Sequence, residues 1–346
     1  MAEIFRLFQQ KRNPPAPSTH SFANRTIIVT GSNTGLGYES ALQFHRQGCA
    51  RLILGVRNTS SGQSAASRIR ALSSGTGSVE VWQLDMLDYE SIKAFAGRVE
   101  RELERLDVAV LNAGVFSAKP EVGRYGFERT VQVNVLATVL LGLLLLPKLR
   151  AGAVQGGEKP VLEFVGSGTH VTLKWDEELK SSSAPLGVLN QRAERAVKGE
   201  GSYSGGLYYG SSKLLLQCAI GHLARLAKRA DGQVEVAVFS VCPGLTKTSL
   251  ARDVLKWWIM PFFWLFTAIF ARTSEQGART YVSGAALGEK AHGGFWQHDK
   301  LQPTAPLLEG EEGKKRAENV WHEIVSGLRK DVPEVLPLTQ GTQSRL

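Results

Sequence analysis

The chain has 346 residues, 43% of them hydrophobic and 21% charged, which suits a folded protein with a full core rather than a disordered or fibrous one. Its formal charge is +9, from 41 basic and 32 acidic side chains. No long Lys/Arg run and no basic stretch interleaved with aromatics occurs, so the excess reads as a solvated basic surface and no nucleic-acid role is expected. Three scattered cysteines, Cys49, Cys218 and Cys242, form no CxxC pair, which argues against a zinc site or a disulfide framework and fits a reducing, cytoplasmic compartment.

In chain order, Met1–His20 carries Ile4, Phe5, Leu7 and Phe8, then Lys11, Arg12 and a Pro/Ser stretch. It lacks the apolar core and cleavage site of a secretory signal. Residues 1–22 are therefore expected to be a frayed arm rather than a short interfacial helix. Short β-branched runs then alternate with longer helical segments. Strands are predicted at Thr26–Thr30, Arg51–Val56, Val79–Leu84, Val108–Leu111, Val161–Val165 and Val234–Val241. Between them, Ile92, Phe95, Ala96, Val99 and Leu103 share one helical face. Nearly all-apolar strands, each followed by a helix, indicate a parallel sheet covered on both faces: a single α/β Rossmann-type doubly wound domain over residues 23–306. Ligands of such sheets bind beyond the carboxyl ends of the strands, where strand order reverses. The Ser-, Gly- and charge-rich stretch Glu177–Gly206 reads as a long surface insertion. Residues 307–346 are expected to hold a C-terminal helix and a disordered tail after Pro333. Two uncharged stretches, Val133–Pro147 and Trp257–Ala271, fall short of the ~20 residues that a spanning helix needs, and Pro261 interrupts the second.

The first strand runs into Thr30-Gly31-Ser32-Asn33-Thr34-Gly35-Leu36-Gly37, with a helix expected from about Tyr38. Glycines permit positive φ and close approach of a ligand, and the helix start offers free N–H groups to a pyrophosphate. A glycine-rich turn alone says little; its place between the first strand and the first helix says more. The spacing G-x-x-x-G-x-G resembles that of the short-chain dehydrogenase/reductase family, and the resemblance runs from about Arg25 to Pro306. It extends to Leu111-Asn112-Ala113-Gly114 after the fourth strand, to Asp85, to Asn134 in Gln132-Val133-Asn134-Val135, and to Pro243-Gly244 with Thr246 and Thr248. In that family these positions imply, respectively, a segment steadying the sheet beside the cofactor, an adenine contact, a helix asparagine that anchors a proton-relay water, and a loop closing over the nicotinamide amide. The likeness is nearest to retinol-dehydrogenase-like members and to fungal reductases of secondary metabolism.

Cofactor choice follows from charge. Folds of this kind hold the ribose 2′-hydroxyl with Asp or Glu about 20 residues past the glycines, whereas Arg accommodates a 2′-phosphate. No acidic residue lies between Ser40 and Ser78, and Arg57 stands twenty positions after Gly37. NADP(H) is therefore expected, with Arg57 on the phosphate.

Two Tyr-x-x-x-Lys pairs occur. Tyr89 and Lys93 fall on a charged amphipathic helix and read as surface features. Tyr209 and Lys213 open an apolar helix after the fifth strand, at the ligand end of the sheet and on one helical face; Tyr208 has no lysine at that spacing. Tyr209 is assigned the proton transfer, with the neighbouring ammonium expected to favour its phenolate. Lys213 would also hold the cofactor ribose, by resemblance. Ser167, in Phe164-Val165-Gly166-Ser167, matches the family serine that hydrogen-bonds the substrate oxygen, although the usual Ser-Ser is Gly-Ser here. His170 reads as structural or exposed rather than as part of the pocket.

A variable cap is expected at about residues 248–272, where Trp257, Trp258, Ile259, Met260, Phe262, Phe263, Trp264, Phe266 and Phe270 crowd together. Core packing, a greasy substrate lid and a membrane-resting patch compete as readings. The density favours an apolar pocket wall with some peripheral contact to an intracellular membrane or a partner. The resulting expectation is an NADP(H)-dependent oxidoreductase of a carbonyl or alcohol on a lipophilic, terpenoid-, polyketide- or steroid-like molecule. A homodimer pairing through the Asn134 and Tyr209 helices is also expected. A non-catalytic NADP-binding sensor and a membrane-attached scaffold are the alternatives; retention of Ser167, Tyr209 and Lys213 in order speaks against the sensor.

Overall fold

The computed structural model describes residues 2–153, 157–248 and 260–339. The apolar runs become β1 (Thr26–Thr30), β2 (Arg51–Val56), β3 (Ser78–Gln83), β4 (Val108–Leu111), β5 (Val161–Val165) and β6 (Ala237–Cys242). β3 sits one residue earlier than expected, and β6 opens at Ala237 because Val234 is taken into an antiparallel bridge with Lys228. β7 (Phe295–Gln297) and β8 (Lys300–Gln302) complete an eight-stranded sheet in the order 3-2-1-4-5-6-7-8. Every neighbouring pair is parallel except β7 and β8, which form an antiparallel hairpin.

The helices are α1 (Ala2–Arg12), α2 (Gly35–Arg46), α3 (Thr59–Leu72), α4 (Tyr89–Glu102), and α5 (Arg129–Val131), which continues through a π-helical segment (Gln132–Ala137) into α6 (Thr138–Ala151). They are followed by α7 (Thr169–Thr172), α8 (Glu177–Ser181), α9 (Pro185–Val197), α10 (Gly205–Leu226), α11 (Met260–Phe270), α12 (Ser274–Leu287), α13 (Gly310–Asp331) and α14 (Val335–Thr339). Successive strand residues point to opposite faces, so the sheet has two cores. Ile27, Val29, Leu52, Leu54 and Phe239 pack under α2, α3 and α12. Ile28, Ile53, Leu162 and Phe164 pack under α4, α6, α10 and α13.

Several expectations are corrected. The N-terminal arm is a helix, α1, packed against α11. The expected insertion Glu177–Gly206 contains α8 and α9, whose Leu179, Leu186, Leu189 and Ala193 are buried. The tail after Pro333 forms α14 with Val335 fully buried; residues 340–346 lie outside the described residues. The described helix α11 runs from Met260 through Pro261 to Phe270; what precedes Met260 lies outside the described residues. The Val133–Pro147 stretch belongs to a continuous helix, Arg129–Ala151, long and apolar enough to cross a membrane, yet 89% of its apolar window is buried inside the protein. α4, α13 and α14 pack around this helix. None of the exposed large apolar side chains among the described residues lies on it or on α10. Trp257, Trp258 and Ile259, and the side chains of residues 260–263, lie outside the described residues.

Candidate active site

The glycine loop leaves β1 and enters α2 at the carboxyl edge of the sheet. Gly31 and Gly35 hold φ of +62 and +59, a region that L side chains rarely adopt. Gly37 is required by packing: a Cβ there would stand 2.5 Å from both the Gly31 carbonyl oxygen and Asn112 Nδ2. At the start of α2, Thr34 gives no side-chain cap and the first turn has no acidic residue, so its N–H donors and positive dipole end remain available. Ser32 is fully buried and its hydroxyl has no hydrogen-bond partner among the described residues. An orphaned hydroxyl beside uncapped amides suits a phosphate, so these residues fit a dinucleotide. Leu36 packs in the same corner, close to Gly277 of α12.

Arg57 follows β2 on the exposed surface and makes no ion pair among the described residues. Next to it, Asn58 caps α3 by accepting from Ser61 N at 3.0 Å, and Asn33 Nδ2 donates to Ser61 Oγ at 3.1 Å, tying the glycine loop to the start of α3. Asp85, just past β3, accepts from Leu87 N at 3.0 Å, and its backbone N–H donates to Ser91 Oγ at 2.9 Å. Past β4, Asn112 Nδ2 donates to the carbonyls of Thr30 (2.8 Å) and Gly31 (3.2 Å), and Ala113 N donates to Thr30 Oγ1 (2.9 Å). Gly114 leaves room for Asn134, whose Oδ1 would lie 3.1 Å from a Cβ there.

Asn134 lies in the π-helical segment, a distortion frequent at functional sites. Its Oδ1 accepts from Val115 N (2.8 Å), and its Nδ2 donates to Val115 O (2.9 Å) and Ser212 Oγ (3.1 Å). Both amide hydrogens are thus committed. The side chain clamps the loop after β4 onto α10.

Tyr209 and Lys213 lie one turn apart on α10, the Lys213 Nζ 5.6 Å from the centroid of the Tyr209 ring. Lys213 is 7% exposed, and its Nζ donates to the Val165 carbonyl at 2.8 Å. Ser167, beyond β5, accepts on Oγ from Thr169 N (3.3 Å) and Thr169 Oγ1 (3.0 Å), leaving its own hydrogen to donate. Burial dominates, pushing the Tyr209 phenol up to about 12, with the Ser167 hydroxyl pulling it partly back, and pushing Lys213 down to about 8. The phenol is therefore protonated at neutral pH and ready to give a proton.

The other pair is structural. Tyr89 is buried and stacked on Tyr125 at 3.9 Å, and Lys93 pairs with Glu90 (3.2 Å) and Glu334 (3.1 Å). Tyr208 points away, its hydroxyl donating to Leu189 O at 2.9 Å. His170 is 1% exposed; its Nδ1 bonds the Ser167 carbonyl at 2.5 Å and its ring meets Phe295 edge-on, so it pins the serine turn.

The Pro243–Thr248 segment follows β6. Gly244 holds φ of +73, Thr246 Oγ1 donates to Gly244 O at 3.2 Å, and Thr248 is half-buried at its end. Residues missed in the sequence hold this segment in place. Arg272, 2% exposed, donates to the carbonyls of Gln10 (2.8 Å), Asn13 (3.0 Å) and Pro243 (3.4 Å), so the N-terminal helix is strapped to the loop beside the active site. Cys242 Sγ accepts from Gly168 N (3.2 Å) and Gln297 Nε2 (3.0 Å), joining that loop to the serine turn. Phe116 packs against Tyr209 with ring centroids 5.4 Å apart, an apolar wall on the phenol. Neither Phe116 nor Arg272 belongs to a motif that would have singled it out.

A family model described as short chain dehydrogenase matches residues 25–158. A short-chain dehydrogenase/reductase of Aspergillus flavipes is 40% identical over 94% of this chain and 92% of its own length. One of Phaeosphaeria nodorum is 38% identical over 96% of this chain and 94% of its own. Among solved structures, the RhlG/NADP active-site complex of Pseudomonas aeruginosa shares the fold with a TM-score of 0.58 at 20% identity, covering 80% of this chain and 95% of that one. With a doubly wound sheet, an uncapped glycine loop and a Tyr209–Lys213 pair at its carboxyl edge, this chain belongs to the short-chain dehydrogenase/reductase family of oxidoreductases.

Proposed function

We propose that the protein is an NADPH-dependent reductase of a carbonyl group on a lipophilic small molecule. The observation that carries this reading is the geometry of the Tyr209 phenol, beside the Ser167 hydroxyl and one turn from Lys213. A bound nicotinamide supplies the hydride. Tyr209 gives its proton to the substrate oxygen as negative charge grows there. Ser167, with its acceptor sites engaged by Thr169, donates to the same oxygen and stabilises that charge. Lys213, held by the Val165 carbonyl, keeps a positive charge near the phenol and aids recovery of its proton. Phe116 offers the substrate an apolar contact.

The phosphate preference is supported by the absence of a carboxylate after β2 and by the exposed guanidinium of Arg57. The fold neighbour from Pseudomonas aeruginosa is an NADP complex, in keeping with that preference. Arg57→Glu should lower kcat/KM for NADPH by about 10- to 100-fold, the worth of a charge-assisted hydrogen bond, and leave NADH little changed. Steady-state kinetics with both nucleotides and a panel of lipophilic ketones, aldehydes and quinones tests this. An equal loss with both nucleotides would remove Arg57 from the phosphate site.

A further inference from the structure

α11 is inside out. Over its described residues its one hydroxyl faces inward: Thr267 is 8% exposed and bonds the Trp264 carbonyl at 3.1 Å. Its outward arc is apolar, with Trp264 68%, Ile269 42% and Phe266 40% exposed. A helix resting on a soluble protein shows the reverse pattern, polar residues outward. The adjoining α1 adds Phe8, 39% exposed, so four of the seven large apolar side chains exposed among the described residues gather on one surface. The two helices are fixed together: Lys11 Nζ bonds the Ala268 carbonyl, and Arg272, just after α11, holds the C-terminal end of α1 through Gln10 and Asn13.

Charge decides what covers this surface. Residues 7–13 and 264–272 contain no acidic side chain, whereas Lys11 and Arg12 lie at the rim, Arg12 over the Phe8 ring at 5.5 Å. Aromatics with two cations at their rim, on a protein of net charge +9, match the interfacial zone of an anionic bilayer. The uncharged run between Lys256 and Arg272 has 15 residues, short of the ~20 that a spanning helix needs, which favours seating in the interface over crossing the bilayer. We propose that α1 and α11 together form a docking surface that seats the protein on an anionic membrane, with Trp264, Phe266, Ile269 and Phe8 inserted at headgroup depth. The same surface abuts the Pro243–Thr246 loop, since Arg272 also bonds the Pro243 carbonyl.

Flotation of the full-length protein with vesicles of phosphatidylcholine and phosphatidylserine in equal amounts, and of phosphatidylcholine alone, tests this. The expected result is flotation with the anionic vesicles, weakened by salt. A Trp264→Ser/Phe266→Ser/Ile269→Ser variant should lose binding by about tenfold or more, with an unchanged thermal melt because the three side chains already face outward. Lys11→Glu/Arg12→Glu should remove the preference for phosphatidylserine. Failure of the wild type to float, or equal flotation of the triple variant, would overturn the proposal. So would a wild-type dimer that the triple substitution converts to monomer with no vesicle binding, since a second copy of the chain would then be the occupant.

Discussion

Lys213 should weaken the fold that carries it. Burial lowers its pKa from the ordinary 10.5 to about 8, a penalty of about 3 kcal/mol on the charged form. Methionine has a similar length and no charge, but leaves the Val165 carbonyl without the bond it now accepts at 2.8 Å, a loss of about 1–2 kcal/mol. Lys213→Met should therefore be more stable than the wild type by about 1–2 kcal/mol near pH 7 and nearly inactive. The pH dependence identifies the cause. Because folding depresses this pKa, the unfolded chain binds more protons between about pH 8 and 10.5, and the wild type gains stability as pH rises through that window. The gap between variant and wild type should be full below about pH 8 and close towards pH 10.5. Urea denaturation of both proteins from pH 6 to pH 10 measures it. A variant less stable at pH 6, or a gap that ignores pH, would refute the reasoning.

Other outcomes follow from the same packing and charge arguments. Gly37→Ala forces a Cβ to within 2.5 Å of the Gly31 carbonyl oxygen, a backbone atom that cannot swing aside, and should cost about 1–3 kcal/mol and weaken dinucleotide binding. Thermal melting and nucleotide titration would show it, and a neutral variant would contradict the close-packing argument. Glu163, in the middle of β5, is fully buried with neither carboxyl oxygen hydrogen-bonded among the described residues, and burial holds its pKa well above the usual carboxylate range. A raised folded pKa means that its contribution is full below about pH 4.5 and is lost as pH rises. Glu163→Gln should match the wild type near pH 4 and exceed it at pH 8; parallel stability curves would show that the carboxyl is not what limits the wild type there.

What the sequence revealed and what it hid divide along physical lines. β1, β2, β4 and β5 have the bounds read from their residues, because parallel strands covered on both faces are unbroken apolar runs. The glycine loop was legible because Gly31, Gly35 and Gly37 are each demanded by backbone or packing. β7 and β8 were not, since each has three residues and their turn, His298-Asp299 with φ of 56 and 55, lacks the Asn-Gly or Asp-Gly that usually marks such geometry. α9 carried a readable signal, Leu186, Leu189 and Ala193 at helical spacing, obscured by the Ser, Gly and charge around it. At the site, the Tyr-x-x-x-Lys spacing put both side chains one turn apart on α10, but their proton affinities depend on how much water the fold removes, which no spacing encodes. Arg272 was hidden because its partners, Gln10, Asn13 and Pro243, contribute only carbonyl oxygens, and any residue type supplies one.

Proton donation by Tyr209 to a carbonyl reduced with NADPH is tested most directly by Tyr209→Phe. The variant keeps the ring that packs on Phe116 and loses only the hydroxyl. Nucleotide titration should give it the wild-type affinity for NADPH, while NADPH oxidation with a carbonyl substrate turned over by the wild type should fall by about 10²- to 10⁴-fold. Undiminished turnover in the variant, or a wild type that binds neither pyridine nucleotide, would contradict the account.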